Sequence, residues 1–152
     1  MEKRLIQKNK KAKFDYNILD TYETGIKLIG SEVKSIRETK VNLKGSFCKF
    51  FKGELFLFDC HISKYSHHNN SFNEFEEKRN RKLLLKKKEL IKLEEKLKLN
   101  QGLTIVPLDI YFNENNICKL TIGLAEGKKL HDKRESQKEK DIKKKLNQKD
   151  YS

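Results

Sequence analysis

Residues 46–62 read SFCKFFKGELFLFDCHI. Two aromatic-rich runs flank Lys52-Gly53, a tight-turn signal, so the stretch is expected to form a β-hairpin. In its second arm Phe56 and Phe58 face one way and Leu55 and Leu57 the other. A strand that is apolar on both sides is covered on both sides. That calls for a barrel, or a strongly curved sheet with a helix lying against it.

The flanking sequence extends this reading. In FDYNILDTYETGIKLI, 14–29, Phe14, Tyr16 and Ile18 alternate on one face, and Ile26 and Leu28 resume the pattern after Gly25, the expected site of a bend or bulge. GSEVKSIRETK follows as a short helix, with Ser31 as N-cap and Glu32 in the first turn, where a carboxylate suits the helix dipole. Residues 63–80 are a polar loop. RKLLLKKKELIKLEEKLKLN then changes period: Leu83, Leu90, Leu93 and Leu97 form a helical stripe, and Asn100-Gln101-Gly102 stops it. Leu83–Leu85 alternatively finish a strand before that helix begins. LTIVPLDIYF and ICKLTIGL are the last strands. In the first the apolar phase slips by one at Pro107, as a bulge or edge kink would require. In the second Cys118, Leu120, Ile122 and Leu124 point inward and Lys119 and Thr121 outward. The expected fold is mainly β with helices: a small antiparallel β-barrel of the oligonucleotide-binding type, with about six strands and two to three helices. Such a fold alone assigns no function.

The charge is unevenly placed. The chain carries +13 overall; residues 1–13 and 127–152 each contribute +5 and the 113 residues between them only +3. The expected organisation is a basic N-terminal arm (1–13), a β-barrel domain (14–126) and a basic C-terminal tail (127–152). Such a field suits a polyanion, either nucleic acid or an acidic membrane surface. No run approaches the ~18 apolar residues of a membrane span, and the basic N-terminus lacks the apolar segment of a secretory signal. A cytoplasmic protein is therefore expected. Cys48, Cys60 and Cys118 are widely spaced with no CxxC, which indicates reduced thiols in strands rather than disulfides or zinc.

Lysines cluster at Lys8–Lys13, Arg79–Lys88 and Lys128–Lys145, where they can neutralise phosphates. Tyr16, Tyr22 and Tyr65 can stack on exposed bases or pack on strand faces. His131-Asp132 beside Lys133 and Arg134 resembles a nuclease's base with its cations, but nothing apolar surrounds it to hold such groups in place. His67-His68 lacks a third ligand. No enzyme activity, cofactor or metal is expected.

The strings NKKAKFDYNILDTYETGIKLIGSEVKSIR, LFDCHISKY, RNRKLLLKKKEL, LTIVPLDIYF and CKLTIGLAEGKKLHDKRE occur in one order over nearly the whole chain. Together they resemble the small protein B family, the SsrA-binding proteins of bacteria. The resemblance implies an obligate partner of transfer-messenger RNA (tmRNA) in trans-translation. Such a protein binds the RNA's tRNA-like domain and delivers it to the vacant A site of a stalled ribosome. Further implied partners are the decoding centre of the small subunit and, through the charged RNA, elongation factor Tu and alanyl-tRNA synthetase; a monomer is expected. A ribosomal or general RNA-binding protein is the alternative.

On this resemblance the RNA-binding residues are Asn9, Lys10, Lys11, Glu23, Leu84 and Lys119. Asn9 offers donors and an acceptor to base or sugar edges, Glu23 an acceptor, Leu84 an apolar seat for an unstacked base and Lys119 a cation for phosphate. The tail residues implied to act on the ribosome are Gly127, Lys128, Lys129, His131, Asp132, Lys133 and Arg134. Beyond them, Glu139–Lys143 and Asp141–Lys145 are helix-favouring pairs with little apolar face, so a tail that folds on binding is expected. Phe14 and Ile142 depart from the family pattern, Ile142 standing where a late aromatic is usual.

Overall fold

The hairpin forms where the sequence places it. Strand β4 (Phe47–Phe51) and strand β5 (Glu54–Phe58) pair antiparallel, Phe47 opposite Phe58 and Phe51 opposite Glu54. The turn residues Lys52 and Gly53 have φ of 51° and 78°, the two positive values that a type I′ turn needs. Leu55 and Leu57 are fully buried. Phe56 and Phe58, expected to be covered as well, remain half-exposed on the opposite face.

A computed structural model of the chain describes residues 3–64 and 76–128. The remaining elements are β1 (Arg4–Lys8), α1 (Lys10–Asp15), β2 (Tyr16–Ile26), α2 (Gly30–Arg37), β3 (Val41–Asn42), β6 (His61–Ile62), β7 (Arg81–Leu84), α3 (Lys87–Leu99), β8 (Leu103–Phe112) and β9 (Cys118–Gly127). The main sheet runs β1-β8-β4-β5-β7-β2-β9, and pairing of β8 with β9 closes six of these strands into an antiparallel ring, with β1 added outside on β8. Strands β3 and β6 form a separate two-stranded ribbon. This mainly β, oligonucleotide-binding-like ring carries three helices among the described residues.

Strand β8 explains the phase slip at Pro107. Its register with β9 shifts between Pro107 and Asp109. Its other edge meets β4 at Ile105 and β1 from Asp109 onward. Proline lacks an N–H and here sits where that edge changes partner. Ile105, Ile110 and Phe112 join the main core, whereas Val106 and Leu108 pack with Ala12 and Ala125 in a second cluster under α1. The bulge thus lets one strand serve two cores. The main core also takes Leu120, Ile122 and Leu124 of β9, Ile36 of α2 and Leu93 of α3. Each such burial contributes about 1.5–3 kcal/mol.

Several local expectations change. The basic N-terminal segment is built into the fold as β1 and α1, because β8 offers it an open edge and α1 covers Val106 and Leu108. Phe14 therefore lies in a helix and not in the strand. The β2 bulge falls at Leu19, between Ile18 and Asp20, and not at Gly25. Gly25 instead admits β7 closely: a Cβ there would lie 3.3 Å from Leu84 Cβ. Ser31 does not cap α2; the N-cap is Ile29, whose N–H donates to Glu32 Oε1 at 3.0 Å. Leu83 belongs to β7, so the strand alternative holds and α3 begins at Lys87.

Cys48, Cys60 and Cys118 are free and buried, the first and last in strands and Cys60 in the link between β5 and β6. Burial pushes the Cys60 thiol up to about 11 and Cys118 to about 12, and Cys48 higher still.

Candidate nucleic-acid interface

Strand register assembles one outward row from four distant parts of the chain. Leu84 of β7 lies opposite Gly25 of β2, Gly25 opposite Lys119 of β9, and Lys119 opposite Tyr111 of β8. In the adjoining row Glu23 is opposite Thr121, and Thr121 opposite Asp109. Residues two apart on a strand share a face, so Glu23, Leu84 and Lys119 share the ring's outer surface. Leu84 is 50% exposed. With no side chain at Gly25 between Leu84 and Lys119, the row keeps a flat floor.

Tyr111 donates its hydroxyl hydrogen to Glu23 Oε2. The phenol is itself buried, and Lys3 Nζ stands 4.0 Å from its ring centroid. Burial first, and then the Glu23 carboxylate, push the phenol well above its ordinary value, so it stays a donor. Glu23 is thereby oriented at one oxygen while the residue stays exposed. Beyond it, Lys13 of α1 reaches Asp109 at 3.7 Å.

Asn9 is in a different position from its expected one. It is 5% exposed. Its Oδ1 accepts from Ala12 N at 3.2 Å, capping α1, and its Nδ2 donates to Pro107 O at 2.9 Å and Leu43 O at 3.4 Å. Its own N–H donates to Leu108 O at 2.7 Å. The amide is occupied by the fold, so Asn9 positions α1 and does not offer its edges to a ligand. Lys10 and Lys11, which it positions, are exposed, and Lys11 pairs with Asp15 at 3.3 Å. A cavity of ≈ 200 Å³ beside them is lined by Gln7, Lys8, Asn42 and Lys44 as well. Gln7 donates to Val41 O at 2.9 Å and accepts from Leu43 N at 2.7 Å, fixing β1 to the β3 segment.

The basic run at 79–88 is not all surface. Glu32 is fully buried, and accepts from Arg79 Nε at 2.9 Å and Arg81 Nε at 2.7 Å. Arg81, also fully buried, donates further to Cys60 O at 2.8 Å. Burial alone would raise the Glu32 carboxyl; the Arg79 hydrogen bonds, the Ile29 N–H and Arg81 outweigh it and hold the group below its ordinary value. This triad ties α2 to the entry of β7 and so sets where Leu84 stands. An arginine inside a basic run reads as a phosphate contact; the one signal to the contrary is that Arg79 and Arg81 are arginines in a run whose other cations are lysines, and arginine is the residue favoured for buried ion pairs. For Glu32 a signal exists: a glutamate three residues into a helix reaches back to the N-cap N–H.

Packing accounts for two of the candidate stacking rings. Tyr16 packs on the second cluster and Tyr22 on the main core, with its hydroxyl donating to Asp20 at 3.2 Å and accepting from Lys96 at 3.2 Å. Tyr65, His67 and His68 lie outside the described residues. Gly127 ends β9 opposite Tyr16, and Lys128 donates its N–H to Asp15 O at 3.0 Å. Lys129, His131, Asp132, Lys133 and Arg134 lie outside the described residues, as does the rest of the tail.

Against this geometry stands the similarity to known proteins. The family described as SmpB protein matches residues 6–151. This chain belongs to the SmpB family. Its relatives include an SsrA-binding protein of a Nitratiruptor species, 58% identical over 137 residues covering 90% of each chain. Another, from Helicobacter hepaticus, is 56% identical over 141 residues, 90% of this chain and 87% of the relative. A third, from Christiangramia forsetii, is 49% identical over 146 residues, 95% of this chain and 91% of the relative. A solved structure described as "tmRNA-SmpB: a journey to the center of the bacterial ribosome" superposes with a TM-score of 0.68 at 47% identity, covering 86% of this chain and 92% of that one. Among the described residues no helix is long and apolar enough to cross a membrane, and no group of three His, Cys, Asp or Glu side chains is placed to hold a metal ion.

Proposed function

We propose that this SmpB-family chain is the tmRNA-binding adaptor of trans-translation, acting on stalled ribosomes. The observation that carries the reading is the shared outer face of Glu23, Leu84 and Lys119, in a chain whose relatives are SsrA-binding proteins. An oriented carboxylate, an exposed leucine and a cation side by side suit an unstacked base and its phosphate better than a regular duplex. In this reading the face holds the tRNA-like domain of tmRNA, and Lys10 and Lys11 add phosphate contacts from α1. The tail from Gly127 onward, with Lys128, Lys129, His131, Asp132, Lys133 and Arg134, engages the decoding centre and the empty mRNA channel of the small subunit. Elongation factor Tu and alanyl-tRNA synthetase are further partners through the charged RNA. The protein works in the cytoplasm as a monomer and supplies no catalytic step.

The test is to purify the chain from its native cells and sequence the RNA that accompanies it. One dominant tRNA-like species, resisting competition by bulk tRNA and ribosomal RNA, is expected. A broad mixture displaced by either competitor would instead identify a general RNA-binding protein.

A further inference from the structure

The outer face of the β4–β5 hairpin carries phenylalanines that neither core uses. Phe47 and Phe51 on β4, and Phe56 and Phe58 on β5, alternate with buried Cys48, Leu55 and Leu57 and belong to neither apolar cluster. Phe51 is 60% exposed, and Phe47 and Phe58 stack at 5.4 Å between centroids. Lysines interleave with the rings. Phe56 lies opposite Lys49 on one side and Lys82 of β7 on the other, a Lys–Phe–Lys row across three strands. Beside the row opens a groove of ≈ 430 Å³ lined by Phe56, Lys27, Asn80 and Lys82. Lys82 pairs with Glu54 at 3.2 Å, while Lys27 and Lys49 have no carboxylate partner among the described residues.

Rings interleaved with cations on a sheet face are what single-stranded nucleic acid requires. Bases stack on the rings, and the backbone runs along the charges. A duplex keeps its bases from such rings, so an unpaired segment is the matching ligand. Lys82 and Leu84 share the outward side of β7, so this face continues from the Glu23–Leu84–Lys119 surface without a break.

We propose that the hairpin face is a second contact surface for an unpaired segment of the same RNA, with a base stacked on Phe56 and phosphates on Lys27, Lys49 and Lys82. This rests on the reading that the RNA lies over Leu84, and the experiment separates the two claims. Phe56, and in a separate protein Leu84, is replaced by photoreactive benzoylphenylalanine in the full chain, which is irradiated with SsrA RNA in the absence of ribosomes. Crosslinks are expected from both positions, those from 56 to unpaired nucleotides. A crosslink from 84 with none from 56, or one from 56 to paired nucleotides only, overturns the second surface; none from 84 overturns the underlying reading instead. In parallel, Phe56→Leu is expected to weaken binding about fivefold or more, while Phe56→Tyr, which keeps the ring, binds like the parent. Equal affinity of a folded Phe56→Leu protein and the parent would also overturn the proposal.

Discussion

Tyr111 on β8 holds Glu23 on β2 by a hydrogen bond that passes over β9. The carboxylate is thus fixed before any ligand arrives. Tyr111→Phe is expected to cost about 1 kcal/mol of stability and to weaken RNA binding severalfold by freeing Glu23. Glu23→Ala is expected to weaken it further and, by leaving the buried Tyr111 hydroxyl without its acceptor, to cost about 1–3 kcal/mol of stability. Fluorescence anisotropy with the labelled RNA and thermal melts measure both; full affinity in Glu23→Ala would remove the carboxylate from the interface.

Asn9→Ala is expected to act on stability first. It removes a helix cap and leaves the carbonyls of Pro107 and Leu43 without their amide donor, a loss of about 1–3 kcal/mol. RNA binding should then recover on cooling well below the lowered melting temperature, once α1 is again in place. A binding defect that persists in fully folded protein would mean that Asn9 meets the RNA directly.

Acid should weaken the α2–β7 junction. The Glu32 carboxyl is held below its ordinary value, so its stabilisation is complete above pH 4.5 and fades as pH falls from there through the lower folded-state value. Glu32→Gln is expected to lose about 3–5 kcal/mol at neutral pH, because two arginines keep their charge beside a neutral amide. Below pH 4.5 the gap to the parent should narrow. Urea denaturation at a series of pH values shows this; a constant gap would mean that the carboxylate contributes nothing as an ion.

Gly25→Ala tests the floor between Leu84 and Lys119. The new methyl would sit 3.3 Å from Leu84 Cβ, tight enough to shift that side chain by a few tenths of an ångström. A destabilisation of about 1 kcal/mol or less is expected, with a larger relative loss of RNA affinity. Gly123→Ala is the control: its methyl would lie 3.0 Å from Leu108 Cδ1 in the second cluster, so it should lower stability and leave the affinity of the folded protein alone.

Truncation after Lys128 is expected to leave binding to the tRNA-like domain within about twofold of the parent, since Glu23, Leu84 and Lys119, with the Tyr111 that orients Glu23, all stay in the shortened chain. Tagging on stalled ribosomes should be abolished. Equal loss of both activities would mean that the tail takes part in RNA binding itself.

The legible parts of this fold are those that local pattern dictates. Lys52-Gly53 announces its turn, the alternation of Cys118, Leu120, Ile122 and Leu124 announces the inner face of β9, and Pro107 announces the slip in β8. What alternation cannot announce is a partner. Leu84, Gly25, Lys119 and Tyr111 lie on four separate strands, and only the register of three strand pairs aligns them. By pattern Tyr111 is one more apolar strand residue, yet its hydroxyl sets the neighbouring glutamate. Asn9 misleads in the other direction. An asparagine before a basic run looks like surface chemistry, but an asparagine just before a helix is also a cap, and here burial decides between them.

The three buried thiols give the ring a built-in counter of its own openings. At neutral pH almost none of Cys48, Cys60 or Cys118 is ionised, and solvent reaches none of them freely. A thiol reagent can therefore label them only during moments when β4, β9 or the β5–β6 link lifts away. The labelling rate at each native cysteine times how often that part of the closed chain breathes, with no engineered site needed.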